Sequence, residues 1–297
     1  MTTIIESSQT AGNLAGTGLY MEGGLLRVGA LSPYPYLVHG ISTRTAPDGT
    51  DWNLTARRGS PQHPPDPAVA LANREKMAAL LGVPPGSMVG CRQVHTAVVA
   101  TAGPADVGRG MFAEMPSFEG ADAMVTDTPG LTLLVLSADC PPVFFYDPVQ
   151  RAIGLAHSGW KGTVGRISAN VVQAMRDNYG SQPADIVAVV GPSIGPCCYA
   201  VGANVIEAAE AEFPGAWEGS TPLLERRNDQ VYFSLPEAIR RTLLDAGLSP
   251  QNIAVEGVCT SHNRDLFYSH RGDEGQCGLF GAALGLVAPT NPPTPTQ

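Results

Sequence analysis

Charge is scarce in this chain. Charged residues make up 15% of its 297 residues, with 18 Lys and Arg against 27 Asp and Glu, for a formal net charge of -9. A general nucleic-acid binder needs the opposite balance to neutralise phosphates, so that class is excluded. A few arginines can still build a local positive pocket for a small anion. No apolar run reaches the roughly 18 residues that a membrane helix needs. Residues 1–10 contain Glu6 and no Lys or Arg, and so lack the basic start of a secretory signal. The sequence therefore predicts a soluble cytoplasmic protein with no membrane or nucleic-acid partner. Cysteine is also sparse. Six in 297 residues cannot make a disulfide scaffold, and in a reducing compartment they are expected to be buried, metal-bound or catalytic. No Gly-rich dinucleotide or phosphate loop opens a predicted helix, and no internal repeat is visible.

What is present is a globular composition, 43% hydrophobic, which argues against disorder. Residues 1–25 are small and polar and are expected to be flexible. Residues 26–288 form one catalytic domain, and 289–297 form a disordered Pro/Thr tail. Asp66 to Leu81 reads as a helix, with Asp66 as cap, Pro67 in its first turn and Gly82 beyond its end. Further helices are predicted over Thr163–Tyr179, Asn204–Phe213 and Pro236–Ala246. Continuous apolar runs at Leu131–Leu136, Val143–Tyr146, Ala152–Ala156, Ile186–Val190 and Ile253–Val258 read as strands covered on both faces. Two or three strands precede a helix in places. The expected fold is α/β of the α+β kind, a single domain with a mixed β-sheet core covered by helices.

Three short segments carry candidate chemistry: Gln93-Val94-His95, Ser137-Ala138-Asp139-Cys140-Pro141-Pro142, and Ala156-His157-Ser158-Gly159-Trp160-Lys161-Gly162. Cys140 and His157 close predicted buried strands. Two imidazoles and one thiolate, His95, Cys140 and His157, suit zinc, with copper as the other option. Three protein ligands would leave one position open, the catalytic rather than the structural pattern. The spacing alone is equally consistent with a buried free cysteine and two hydrogen-bonded histidines.

These motifs resemble the laccase-domain family, also called the multi-copper polyphenol oxidase or purine nucleoside phosphorylase family, which includes the peptidoglycan-editing factor. The resemblance runs over roughly Tyr36 to Val287. It rests on Val38-His39-Gly40-Ile41-Ser42-Thr43-Arg44, Trp52-Asn53-Leu54, Asn73-Arg74, the segments around His95, Cys140 and His157, Asp122-Ala123-Met124-Val125-Thr126, Gly191-Pro192-Ser193-Ile194, Tyr199-Ala200-Val201-Gly202, Cys259-Thr260 and Phe267-Tyr268-Ser269-His270-Arg271. It implies a metal site at His95, Cys140 and His157. The chain departs from the family pattern at Ser158, at Lys161, where the family has Arg, and at Gln276-Cys277-Gly278, where it has Thr-Gly-Arg. If that missing Arg binds an anion, the role falls vacant or passes to Arg271 or Arg264.

A true multicopper oxidase needs more imidazoles than the six histidines here. The resemblance implies instead phosphorolysis of adenosine, inosine or methylthioadenosine, together with adenosine deamination. The partners would be a purine nucleoside and phosphate. In the deamination scheme Asp139, with Cys140 and His157, is the catalytic group and shuttles protons; the alternative for Asp139 is to orient a ligand histidine. Arg44, Asn53, Gln93, Lys161 and Arg271 are candidate substrate residues. Two further readings stay open. A single copper would give laccase-type polyphenol oxidation. A cysteine hydrolase, with Cys140 as nucleophile, would suit peptidoglycan precursor editing. Cys197-Cys198 reads as two small buried residues in preference to a second metal or redox site. His39 and His270 are candidate pocket residues. The sequence sets no oligomeric state.

Overall fold

Val143-Phe144-Phe145-Tyr146 is wholly buried because successive side chains enter two different cores. Phe144 and Tyr146 join one apolar cluster, Val143 and Phe145 another. Leu133 and Val135 face the first cluster while Leu134 between them faces a third. A two-residue period with apolar groups at every position puts a strand inside a layered molecule rather than on its surface.

The computed structural model describes residues 14, 16–112 and 115–287. The expected tail, 289–297, and the first thirteen residues lie outside these. In chain order come strands β1 (Leu19–Glu22), β2 (Leu25–Val28) and β3 (Leu37–Ile41), helix α1 (Pro67–Leu81), then β4 (Met88–Arg92), β5 (Val99–Thr101), β6 (Phe118–Glu119), β7 (Ala123–Thr126), β8 (Thr132–Ser137), β9 (Pro142–Asp147) and β10 (Ala152–His157). Helices α2 (Trp160–Val164) and α3 (Ile167–Tyr179) follow, then β11 (Val187–Val190), β12 (Ala200–Val201), α4 (Ala203–Glu212), β13 (Leu224–Arg227), β14 (Gln230–Phe233), α5 (Leu235–Asp245), β15 (Ile253–Val255) and β16 (Phe280–Leu286).

The mixed α/β fold expected from the sequence is present, but its β-structure is divided. One sheet has the order β1-β2-β3-β16-β8-β4-β6, a second β15-β11-β9-β10-β7-β5, and a small third β12-β14-β13. Both large sheets mix parallel and antiparallel pairs. They enclose the main core between Leu133, Val135, Ala282 and Leu284 on one side and Phe144, Ile153 and Leu155 on the other. Helix α1 covers the outer face of the first sheet through Met77 and Ala78. Helices α3 and α5 cover the second through Val171, Met175, Ile239 and Leu243.

Several boundaries differ from the sequence expectation: the strand expected over Ile253–Val258 ends at Val255. The stretch expected to be flexible to residue 25 contains β1, which pairs with β2, and Leu19 and Leu25 are buried. The helix expected over Thr163–Tyr179 is two helices. It starts earlier, at Trp160, and breaks at Arg166, whose φ of 59° is left-handed. Arg166 is held there by Glu212 at 2.8 Å and Asp245 at 3.4 Å. Helix α1 ends as predicted: Asp66 accepts from the N–H groups of Ala68 and Val69, and Gly82 closes it at φ 74°. Among the described residues no helix is long and apolar enough to cross a membrane.

Candidate active site

Strand register brings the first two candidate ligands together. β9 and β10 are antiparallel with His157 opposite Pro142. The turn carrying Cys140, two residues before Pro142, therefore ends beside His157. The Ser158 N–H donates to the Pro141 carbonyl at 2.9 Å and closes this corner.

His95 arrives on the loop after β4, and Asp122 holds that loop. Its carboxylate accepts three consecutive backbone N–H groups, from Val94 at 3.0 Å, His95 at 3.0 Å and Thr96 at 2.8 Å. Successive N–H groups around one anion form a nest, and the nest holds His95 at its left-handed φ of 64°, a conformation that costs a non-glycine residue on the order of 1 kcal/mol. The same carboxylate lies 2.9 Å from Nδ1 of His157. One buried carboxylate thus orients both histidines. Burial opposes its charge, but His157 and the N–H groups outweigh burial and bring Asp122 down to about 2.

The ligand atoms of His95, Cys140 and His157 lie within 4.8 Å of one another, and the two imidazoles meet edge to face with centroids 5.0 Å apart. Bonds of about 2.0–2.3 Å to a tetrahedral zinc would separate its ligands by roughly 3.5 Å, so the three groups fit such a cation. With Nδ1 engaged by Asp122, His157 has Nε2 left to offer. The backbone leaves the space open: a Cβ on Gly159 would sit 2.9 Å from His95 Cδ2 and 3.0 Å from Cys140 Sγ. Protein enclosure pushes the Cys140 thiol up, yet His157 and His95 beside it bring it down to about 6. Burial disfavours charge on His157, but the Cys140 thiolate and Asp122 lift it to about 9. Each group favours the charged form of the other.

The three groups open on a cavity of about 630 Å³, whose walls include Gln93, Asp139, Trp160 and Tyr199 and the cations Arg57, Arg58, Arg74 and Arg271, with His270 beside them. The sequence-predicted residues divide here. Arg271 reaches the cavity; its guanidinium donates to the Ala200 carbonyl at 2.9 Å and lies over the Tyr199 ring. Gln93 lines it, with both ends of its amide on the Leu136 backbone.

Arg44 is elsewhere, paired with Asp273 at 2.8 Å and stacked over Tyr268. Asn53 is buried and closes its own loop, accepting from Thr55 and Leu279 and donating to the Arg58 carbonyl. Lys161 lies outside the cavity wall, over the Trp160 ring. None of the three lines the cavity: Arg44 and Asn53 lie in the segment after β3, and Lys161 is in helix α2.

Asp139 lines the cavity, but neither imidazole contacts it. It accepts from Thr260 at 2.6 Å, Ser269 at 2.7 Å and the Arg271 N–H at 2.6 Å. The histidine-orienting carboxylate is therefore Asp122, not Asp139. Asp139, at φ 85°, instead holds the loop that presents Arg271.

Arg57 and Arg58 were missed by sequence reasoning; an Arg-Arg pair in a Pro-rich loop gives no signal of direction. His270 lies at the cavity, its Nδ1 3.4 Å from Arg58. His39 does not line it, being buried on β3 beside β2, where its Nδ1 accepts the Val28 N–H. Arg264 also stays outside, on Gly272 and Asp273. Gly278 backs directly on Asn53, where a Cβ would meet Cγ at 2.5 Å. Cys197 is exposed and Cys198 half-buried, so their expected core role is also corrected.

Known proteins resemble the chain over most of its length. The model of the family described as multi-copper polyphenol oxidoreductase laccase matches residues 47–287. Purine nucleoside phosphorylase YlmD of Geobacillus stearothermophilus is 34% identical over 266 residues, 88% of this chain and 94% of that protein. Purine nucleoside phosphorylase YlmD of Bacillus subtilis is 36% identical over 219 residues, 74% of this chain and 78% of that protein. A crystal structure of YlmD from Geobacillus stearothermophilus superimposes with a TM-score of 0.83 at 32% identity, covering 92% of this chain and 100% of that one. By sequence match across most of its length, and by fold, the chain belongs to the multi-copper polyphenol oxidoreductase laccase family.

Proposed function

We propose that the protein is a metal-dependent purine nucleoside phosphorylase acting on adenosine, inosine or methylthioadenosine. The observation that carries this is the sharing of one cavity by the His95, Cys140 and His157 cluster and by Arg57, Arg58 and Arg271. The names of the relatives point to the same activity. A zinc-class cation on the cluster would supply Lewis acidity.

The arginines hold hydrogen phosphate by charge-assisted hydrogen bonds. A phosphate oxygen bonds to C1′ of the ribose as the C1′–N9 bond breaks, and the electron pair of that bond leaves with the purine. The proton carried by the phosphate ends on the base, giving free base and ribose 1-phosphate. Asp139 positions the Arg271 loop. Trp160 and Tyr199 offer ring faces to the base. Free thiols throughout suit a cytoplasmic setting.

Phosphorolysis is favoured over adenosine deamination at this site. Deamination needs a free proton-shuttling carboxylate, and Asp139, the carboxylate of the cavity wall, already has both oxygens engaged. A second reading follows from the pair of Cys140 and His157, which is also the equipment of a cysteine hydrolase acting on peptidoglycan precursors. Metal content separates the two, because a metal-held thiolate is a poor free nucleophile. A single copper on the same cluster would give laccase-type phenol oxidation instead.

The test is incubation of purified protein with each nucleoside, with and without phosphate, beside Cys140→Ala and a chelated sample. Base release that needs phosphate and fails in both controls supports the reading. A folded, metal-replete protein that leaves nucleosides intact overturns it.

A further inference from the structure

A second group of soft ligands lies outside the cavity. Cys197, Cys198, Cys259 and His262 place one ligand atom each within 4.8 Å of all the others. They come from two loops, one after β11 and one after β15. The His262 imidazole sits between two thiols, with Nδ1 3.5 Å from Cys197 Sγ and Nε2 3.3 Å from Cys198 Sγ. Cys259 is buried and accepts from the Gly195 N–H at 3.3 Å. Gly195 is the residue that lets the chain pass: a Cβ there would lie 3.0 Å from Cys197 Sγ and 3.3 Å from Cys259 Cβ. All four cysteine and histidine side chains thus converge although 61 positions separate Cys198 from Cys259 in the numbering.

We propose that these four residues form a second metal site, a closed Cys₃His site for a thiophilic divalent cation of the zinc class. Four protein ligands, three of them thiolates, are the structural pattern, with no position left for substrate. The site ties together the two loops that support the active-site wall. Ser193 already bridges to Cys259 by backbone pairing. Ile194 and Tyr199 on one loop line the cavity, and Thr260 on the other donates to Asp139 at 2.6 Å. The cation acts as a staple behind the wall, and its existence does not depend on which reaction the cavity carries out.

The test uses the full-length protein, kept reduced and loaded with Zn²⁺ or Co²⁺ alone. Cys140→Ala removes the thiolate of the active-site cluster, so metal retained by this variant reports on the second site. The expected result is one firmly held ion per chain in Cys140→Ala and two in the unsubstituted protein. Co²⁺ bound to Cys140→Ala should show thiolate-to-cobalt charge transfer and tetrahedral d–d bands. Adding Cys197→Ser and Cys198→Ser should abolish both the bands and the retained ion. His262 is exposed, so His262→Ala in the same background provides a variant expected to fold; it should weaken retention at least tenfold. A folded Cys140→Ala protein that holds no metal overturns the proposal. So does a retained ion indifferent to all three substitutions, or thiol counting that finds Cys197 or Cys198 disulfide-bonded to Cys259 in the reduced preparation.

Discussion

Asp122 and His157 are joined twice: Oδ1 of the acid lies 2.9 Å from Nδ1 of the imidazole, and the Asp122 carbonyl accepts the His157 backbone N–H at 2.8 Å. The ring is therefore fixed both in position and in tautomer. Asp122→Asn keeps the shape but weakens this orientation and the nest under His95. The expected outcome is a 10–100-fold loss of metal affinity, the usual range for such supporting partners. Competition against a chelator of known affinity measures it, with circular dichroism to show that the variant folds. Unchanged affinity would mean that Asp122 serves only the loop.

Gly159 makes a separate prediction about space. A methyl group there meets both His95 and Cys140 within 3.0 Å, so Gly159→Ala should displace a ligand and abolish metal binding at the His95, Cys140 and His157 cluster while most of the fold survives. Gly86 is a suitable comparison, since a Cβ there meets nothing within 4 Å. Gly86→Ala should bind metal normally.

Arg271 and Arg44 can be told apart kinetically. If Arg271 holds phosphate, Arg271→Ala removes charged hydrogen bonds of about 1.5–3 kcal/mol and raises the KM for phosphate at least about tenfold. Arg44→Ala breaks an ion pair with Asp273 away from the cavity. It should leave that KM alone and cost about 1 kcal/mol or less of stability. Equal effects of the two substitutions on KM would remove Arg271 from the phosphate site.

His39 sets a pH dependence of stability. Burial, then the neighbouring Arg27, push its pKa from 6.5 down to about 4. Its Nδ1 accepts the Val28 N–H at 3.3 Å, which requires the neutral ring. Between pH 6.5 and about 4 the unfolded chain takes up a proton that the folded chain refuses. This contribution is complete above 6.5, falls by up to about 3 kcal/mol as the pH drops to about 4, and then stays level. His39→Asn keeps an acceptor for Val28 but does not titrate. Denaturant unfolding across the window should therefore be flatter in this variant than in the unsubstituted protein. Parallel curves would assign the pH dependence to other groups.

Much of the fold was legible because local rules suffice for it. Asp66, Pro67 and Gly82 delimit α1 by capping and backbone preference alone. The apolar runs of β8, β9 and β10 announce strands buried on both faces. The break at Arg166 was not legible, because it depends on Glu212 and Asp245, both distant in the chain, holding a residue that has no intrinsic preference for a left-handed turn.

By itself the sequence picked out His95, Cys140 and His157 as candidate ligands, and placed two of them at the ends of buried strands. Only the tertiary structure decided which carboxylate serves the histidines. Asp139 is adjacent to Cys140 in the chain, but its left-handed backbone turns its side chain toward Thr260 and Ser269. Asp122 lies 35 positions from His157, and is brought to it by the pairing of β7 with β10. The same holds for Arg57 and Arg58, and for the meeting of Cys197 and Cys198 with Cys259 and His262. Residue spacing constrains groups that share a helix or a strand. Groups on separate loops are brought together by strand register and by the layers the loops connect, which no local pattern encodes.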